Sequence, residues 1–278
     1  MKLYKIKQGI VIEKDGAFYP LIGQSWDDFI NDDQLYEKME KQTQNASPDP
    51  KGNDLLENEL VAPIESQEIW ASGVTYYRSK EGRQEESKES GGGDFYARVY
   101  EAERPELFFK APPYRTVGPG GRVRIRKDSS WDVPEPELTL LITSSGKIVG
   151  YTVGNDMSSR SIEGENPLYL PQAKSYDGSA SVGPCIYVTQ EPLPADTLIQ
   201  MEIYRESAKV FEGNIEINQI KRKLTELVSY LYRECSFPYG SFLMTGTGIV
   251  PDKEFTLQKN DEIRITIEPI GTLVNFVE

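Results

Sequence analysis

Short stretches in which polar and apolar residues alternate recur along most of the chain, and this pattern predicts β-strands. Gly, Pro and Asp turns separate them, which is typical of a β-rich sandwich or barrel-like roll. A helical pattern runs from Trp26 to Met39. The predicted strands are LYKIKQ, GIVIEK, AFYPLI, RVRIRK, ELTLLIT, KIVGYTVGND, CIYVTQ, LIQMEIYRE and EIRITIEPIG.

One longer helix is predicted near the carboxyl end, in IEINQIKRKLTELVSYLYREC. Its apolar residues recur at spacings of three and four, as on the buried face of a helix, and SFPYG ends the pattern. With strands dominating, the fold class is α+β, mostly β. The residues of the apolar face are Ile217, Ile220, Leu224, Leu227, Val228 and Leu231.

Two polar segments divide the chain. The first, 41–54, is rich in amides and prolines and predicts a linker, so we expect a small N-terminal α+β domain over 1–60 and a larger domain over 61–278. The second, Ser79 to Asp94, combines a charge run with three glycines. It indicates either a mobile excursion beside a site or a solvated loop or frayed helix.

The composition limits the partners that the chain can bind and the side chains that can carry out chemistry. A net charge of −13 argues against a nucleic-acid surface and against binding to anionic lipid, which leaves small ligands and proteins as partners. No apolar run approaches the roughly 20 residues of a membrane span, so we expect a cytoplasmic protein. Cys185 and Cys235 fit neither a disulfide framework nor a zinc pattern, and both are interpreted as packing residues. Because the chain has no histidine, chemistry must use carboxylates, lysine, hydroxyls or a hard metal ion.

Two glutamates stand at the start of an apolar run in WDVPEPELTLLI. In a strand, Glu135 and Glu137 point to the same side, roughly 7 Å apart, while the other face is filled by Leu138, Leu140 and Ile142. Pro136 removes a ladder donor, which marks a strand end or edge. Spacing alone favours two solvated glutamates at a strand end.

A third carboxylate favours a metal ion. A hairpin turning at 144–146 places Glu135 and Glu137 opposite the neighbourhood of Asp156, so that the three acids could share magnesium or calcium. Three unneutralised carboxylates would repel one another strongly, and a cation removes that cost. Lys174, between apolar neighbours in LPQAK, is either a surface cation or a proton-transfer group near such an ion.

Five ordered motifs, EPEL, GYTVGNDMSSR, LPQAKSYDGSASVGP, TGTGIVP and IGTLVNFV, resemble the fumarylacetoacetate hydrolase family over about 215 residues, from Trp70 to Val277. The resemblance implies a mixed β-sandwich roll and chemistry on small anionic 2-oxo acids. It also implies magnesium, with calcium or manganese as alternatives, and assembly into homodimers or homotetramers. Carried onto this chain, the metal ligands are Glu135, Glu137 and Asp156, and the active-site lysine is Lys174.

A narrower resemblance, through WASGVTYYRSKE, YEAERPELFFKAPP and ENPLYLPQAK, is to the branch containing 2-keto-3-deoxy-D-arabinonate dehydratase. It implies Glu106 and Lys174 as acid and base, acting by C3 proton abstraction and loss of the C4 hydroxyl through a metal-held enolate. Without the resemblance, Glu106 reads as a turn or helix-start residue after Pro105. Candidate substrate-binding residues within the matching motifs, each equally open to a structural role, are Ser72, Lys110, Arg160, Gln172 and Thr247.

One departure from the family pattern keeps other functions open. Ser79 and Gly82 stand where hydrolases of the family carry a water-activating histidine and glutamate. A C–C hydrolase or isomerase of a diketo acid would need Glu106 or a lid residue such as Glu81 instead. A non-catalytic, metal-stabilised binding protein is the alternative of another class.

Overall fold

In the computed structural model, which describes residues 1–80 and 93–278, fifteen labelled strands form two sheets. In chain order they are β1 (Lys2–Ile6), β2 (Gly9–Lys14), β3 (Ala17–Ile22), β4 (Glu68–Gly73), β5 (Glu106–Ala111), β6 (Thr116–Val117), β7 (Arg122–Val123), β8 (Asp132–Ile142), β9 (Ile148–Ser159), β10 (Ala180–Tyr187), β11 (Leu198–Arg205), β12 (Ala208–Glu216), β13 (Ser241–Met244), β14 (Glu262–Ile267) and β15 (Gly271–Val277). The labelled helices are α1 (Trp26–Ile30), α2 (Leu35–Gln44), α3 (Gly52–Glu59), α4 (Gly93–Glu101), α5 (Arg160–Glu165), α6 (Leu170–Lys174) and α7 (Leu224–Leu231).

The larger sheet has the strand order β3-β2-β1-β10-β9-β8-β13-β4-β5, with β6 also pairing with β10. The smaller sheet has the order β12-β11-β14-β15-β7. Both sheets are mixed, because β13 pairs in parallel with β4 and β15 with β7, whereas most other neighbours are antiparallel. The predicted fold class, mostly β with mixed sheets, is confirmed.

Two buried apolar clusters show how the larger sheet is covered. One joins residues of both sheets to α7, and the other joins the larger sheet to α1 and α2. β8 is buried along its whole length, and its side chains alternate between the two clusters. Leu138, Leu140 and Ile142 lie in the first cluster, and Leu141 lies in the second. This alternation confirms the predicted face of the strand.

The hairpin of β8 and β9 has the predicted register. Glu135 is paired with Asp156, and Glu137 is paired with Gly154. The connecting turn contains Gly146, whose φ of 85° is a conformation that glycine adopts without steric cost. β13 pairs with β8 only from Thr139 to Ile142, so Pro136 lies where β9 is the ladder partner and a missing donor is tolerated.

The first three strands continue the larger sheet, because β1 pairs antiparallel with β10. α2 and α3 leave only 45–51 between them, so the non-helical connection is shorter than the predicted linker. The domain boundary near residue 60 stays a prediction.

Two local predictions were too long. The helix begins at Leu224 and not at Ile217, because the preceding backbone makes tertiary hydrogen bonds: Ile217 N–H donates to Thr197 and Lys221 N–H to Thr75. The RVRIRK stretch contributes only the two residues of β7.

Most of the polar segment from Ser79 to Asp94, including 81–92, lies outside the described residues. No helix among the residues that the structure describes is long and apolar enough to cross a membrane.

Candidate metal centre and active site

Glu135, Glu137 and Asp156 converge at the β8–β9 hairpin. Each offers a carboxylate oxygen, and these oxygens lie within 4.8 Å of one another. The three residues are only 5%, 1% and 1% exposed. The register explains the arrangement, since Glu135 lies opposite Asp156 and Glu137 follows two residues later on the same face. The solvated-glutamate interpretation is therefore wrong.

Three buried cations surround these acids. Arg160 donates through Nη2 to Glu135 Oε1 over 2.7 Å. Lys110 Nζ lies 2.5 Å from Asp156 Oδ1, and Lys174 pairs with both Glu135 and Asp156. Two of the three carboxylates are thus already paired, and the expectation that all three are unneutralised is corrected.

Lys174 is completely buried at the end of α6, so it is not a surface cation. Its ammonium donates to Glu135 Oε2 over 2.7 Å, to Asp156 Oδ2 over 3.0 Å and to Ser158 Oγ over 2.6 Å. Its Nζ also lies 5.8 Å from the centre of the Phe108 ring, a wall of the adjoining cleft. The lysine and the acidic group therefore form one site.

Lys110 has a different environment from the one expected of a substrate-binding residue. It is fully buried, and its ammonium contacts Asp156 and donates to the backbone carbonyls of Met157 and Lys174. Two of the three ammonium hydrogens are therefore used by backbone carbonyls, and the charge is paired with Asp156. Burial lowers the pKa of Lys110, and the nearby Asp156 charge opposes that effect. The structure thus favours a role for Lys110 in holding Asp156.

Glu137 carries the strongest indication of a metal ion. Its Oε2 accepts a hydrogen bond from the Gly246 N–H. Burial raises the pKa of Glu137 well above its ordinary value, and the charges of Asp156 and Glu135 raise it further. A divalent cation with a preference for oxygen ligands would stabilise the ionised form of this group. The donor set therefore fits magnesium or a similar hard ion.

A small cleft opens beside the acids, and it is lined by Ser72, Ser79 and Thr247 among others. Ser72 Oγ donates to the Glu106 carbonyl over 3.1 Å. Thr247 Oγ1 accepts from Ile249 N–H over 3.2 Å. Both hydroxyls are nearly buried, at 2% and 4% exposure. Two of the predicted substrate-binding residues therefore lie at the cleft, and Arg160 lines it as well.

Glu106 begins β5 and is paired with Gly73 of β4, a residue that lines the cleft. Its carboxylate lies directly over the Gly73 backbone: a Cβ added to Gly73 would meet Glu106 Oε2 at 2.0 Å. Glu106 is thus a strand residue and not a helix start. Its carboxylate stands beside the cleft, on the far strand of the larger sheet from the hairpin.

Of the remaining residues named from the sequence, those that the structure describes have environments that do not suggest a direct role. Gln172 is exposed, and its carbonyl accepts from Arg126 Nη1 over 3.1 Å. Ser79 lines the cleft, but its hydroxyl donates to the Tyr76 carbonyl over 2.7 Å, as a local turn does. Glu81 and Gly82 lie outside the described residues.

Two site residues were missed from the sequence, Ser158 and Glu163. Ser158 Oγ accepts from Lys174, and Glu163 Oε1 lies 3.4 Å from the Lys174 ammonium. Glu163 also faces Arg160, three residues earlier on α5. That spacing of opposite charges was the available signal, because residues three apart on a helix are neighbours.

Comparisons with known proteins identify the family of the chain. The family model described as fumarylacetoacetate (FAA) hydrolase C-terminal matches residues 69–278. A probable 2-keto-3-deoxyxylonate dehydratase of Haloferax volcanii is 49% identical over 224 residues, which cover 80% of this chain and 76% of that protein. The 2-dehydro-3-deoxy-D-arabinonate dehydratase of Saccharolobus solfataricus is 43% identical over 221 residues, covering 79% and 74%.

A solved structure of 2-keto-3-deoxy-D-arabinonate dehydratase, complexed with magnesium and 2,5-dioxopentanoate, is also similar. It has a TM-score of 0.86 and 34% identity, covering 100% of this chain and 99% of that one. The family resemblance seen in the motifs is confirmed. The chain belongs to the fumarylacetoacetate hydrolase family.

Proposed function

We propose that this protein is a magnesium-dependent dehydratase, a hydro-lyase that acts on a 2-keto-3-deoxy sugar acid such as 2-dehydro-3-deoxy-D-arabinonate. Glu135, Glu137 and Asp156 together are called the acidic trio. The observation that carries the proposal is that the Lys174 ammonium lies 2.7 and 3.0 Å from carboxylate oxygens of two members of this trio. A proton-transfer group and a cation site thus adjoin one cleft. The dehydratase relatives supply the substrate class.

Glu135, Glu137 and Asp156 would hold the cation, and calcium or manganese are the alternative ions. When bound, the cation supplies Lewis-acid polarisation of the substrate 2-oxo group, which makes the C3 protons more acidic. Lys110 and Arg160 keep two of these carboxylates in place through buried ion pairs. A buried ligand set that is already oriented loses little freedom on binding the ion.

The reaction breaks a C3–H and the C4–O bond and releases water. Lys174 and Glu106 are the acid and base: one removes the C3 proton, and the other protonates the departing C4 hydroxyl. They come from different elements, Lys174 from α6 and Glu106 from β5. The immediate product is a 3,4-unsaturated 2-oxo acid; loss of a C5 proton and protonation at C3 give the enol of a dioxo acid, which tautomerises to the dioxo acid.

Residues that line the cleft would orient the substrate. Ser72 and Thr247 present hydroxyl groups that can bond a carboxylate or a sugar hydroxyl. Arg160, although tied to Glu135, lines the same cleft and adds positive charge for an anionic substrate. Gln172, exposed in the described structure, would need a change in α6 to take part.

A C–C hydrolase or isomerase of a diketo acid is the alternative within the family. Water activation by a histidine is excluded, since the chain has none. Ser79 at that position makes a local turn bond instead. The dehydratase is therefore preferred over the hydrolase. A metal-binding protein without catalysis is the second alternative, and an assay separates it directly.

The test is a magnesium-dependent assay over a panel of 2-keto-3-deoxy acids and acylpyruvates, with products followed by mass spectrometry. Loss of water from a 3-deoxy acid is expected, and Glu137→Gln and Lys174→Met are expected to abolish it. Lys209→Met, at a partly exposed ion pair, is the matched control and should retain full activity. Release of a second carboxylic acid from an acylpyruvate, without dehydration, would establish the hydrolase. Tight magnesium binding with no turnover would establish the binding protein.

We also propose that the protein works in the cytoplasm as a homodimer or homotetramer. The family resemblance supports the assembly, and the sequence, in which no apolar run reaches the length of a membrane span, supports the location. Light scattering on the purified protein measures the assembly, and a monomeric mass at micromolar concentration would contradict it.

A further inference from the structure

Glu163 is a fourth buried carboxylate at this site, and the proposed chemistry does not use it. It lies in the first turn of α5 and is 1% exposed. Its Oε1 is 3.4 Å from Lys174 Nζ, and its Oε2 is 3.9 Å from Arg160 Nε. The Ser159 hydroxyl caps the helix by accepting from Ile162 N–H, which fixes the turn that carries Glu163. The carboxylate is therefore held between two cations.

A divalent ion bound by the trio would lie close to the protein cations. Glu135 Oε1 accepts from Arg160, and Asp156 Oδ1 lies against Lys110. The second oxygen of each carboxylate accepts from the Lys174 ammonium. An ion that ligates both residues must share oxygens already bound to positive groups, and like charges a few ångströms apart in a buried site repel strongly.

Of the three buried cations, Lys174 is the one best placed to move away from the metal-binding carboxylates. It alone of the three cations contacts both carboxylates in the described structure, and its side chain is a flexible stem with a rotatable ammonium. Glu163 lies outside the trio yet only 3.4 Å from Nζ, so a small movement would convert that contact into a hydrogen bond.

We propose that Glu163 is a positioning residue that receives the Lys174 ammonium when a divalent cation binds Glu135 and Asp156. The inference rests on the proposed function for the presence of the cation. Arg160, on the other side of Glu163, keeps the carboxylate from turning away. The transfer leaves Lys174 buried at the cleft, beside the cation and released from at least one of its ligand carboxylates.

The direct test compares crystal structures of the unmodified protein grown without magnesium and with magnesium chloride. In the magnesium form, Lys174 Nζ should lie within about 3 Å of a Glu163 oxygen and should have left Glu135, Asp156 or both. Magnesium on the trio with the lysine contacts unchanged would overturn the inference and leave the proposed function intact. Absence of magnesium from the trio at saturating concentration would refute the proposed function and the inference together.

Calorimetric titration with magnesium chloride gives a second readout, independent of activity. Glu163→Gln keeps the shape of the side chain and removes its charge, and it should weaken binding about 10- to 100-fold. Glu163→Asp should restore part of the affinity. Thermal unfolding without magnesium checks that each variant is folded.

A double-mutant cycle separates positioning from a direct effect of the Glu163 charge on the ion. In a Lys174→Met background there is no ammonium to receive, so Glu163→Gln should change magnesium affinity less than about twofold. An undiminished loss in that background would show that Glu163 acts on the ion directly and would overturn the inference. If Lys174→Met does not fold, the crystal comparison decides, because it uses the unmodified chain.

Discussion

Gly73→Ala tests whether the Glu106 carboxylate must stand where the structure places it. The added Cβ would lie 2.0 Å from Glu106 Oε2 and 2.6 Å from Cδ, whereas an ordinary contact begins at 3.4 Å. The carboxylate must therefore retreat by about 1.4 Å. Misplacing a catalytic group by about 1 Å can cost 100-fold in rate, so we expect kcat for dehydration to fall on the order of 100-fold.

The rest of the protein should tolerate the change. Gly73 lies in β4 and is not among the glycines of positive φ, so alanine fits its backbone. We expect unchanged magnesium affinity by calorimetry and a melting temperature within a few degrees of the parent, about 2–4 °C per kcal/mol. The control is Glu106→Ala: Gly73→Ala should add nothing in that background. Full activity of Gly73→Ala, or an additive loss in the double variant, would refute the reasoning.

Three further expectations concern buried groups. Lys110→Met leaves Asp156 with Lys174 but removes its buried ion pair with Lys110, and it should destabilise the magnesium-free protein by about 3 kcal/mol in urea unfolding. Lys209→Met, at a partly exposed pair, should destabilise it much less, and equal effects would contradict the importance of the buried pair. Burial raises the pKa of Asp132 above its ordinary value of 3.8, so ionisation of this carboxyl destabilises the fold as the pH rises from 3.8 through the raised pKa. Asp132→Asn should therefore match the stability of the parent below pH 3.8 and be more stable than the parent at neutral pH. Equal stability of the two proteins at both pH values would refute this. Cys185 is buried with its pKa raised to about 12 and Cys235 is exposed, so Ellman's reagent should titrate one thiol per native chain and two after unfolding.

The acidic trio was predictable because local rules determine it. A period of two places Glu135 and Glu137 on one face, and a short turn returns Asp156 beside them. The family resemblance then identified Lys174. Its burial confirms that it is not a surface cation.

The partners of these groups were not predictable, because they depend on packing between distant elements. Lys110 lies on β5, and only the fold places it against Asp156, 46 residues later. Its motif therefore suggested substrate binding. Cys235 was wrongly interpreted as a packing residue. α7 ends at Leu231, so Cys235 lies beyond the helix and is exposed, and the periodicity of the sequence does not show this. The overlong helix from Ile217 likewise follows a periodic pattern that tertiary hydrogen bonds override.

The pairing of β1 with β10 has a consequence for how the family domain can be handled. The family model starts at residue 69, after β1, yet β10 lies in the matched region. Without β1, the backbone groups of β10 around Ile186 would form an open sheet edge next to the strand that carries Asp156. Open edges recruit strands from other molecules and promote aggregation. The N-terminal strands thus cover this sheet edge. We expect a fragment that starts at residue 69 to be less soluble than the whole chain, although it keeps every proposed catalytic residue.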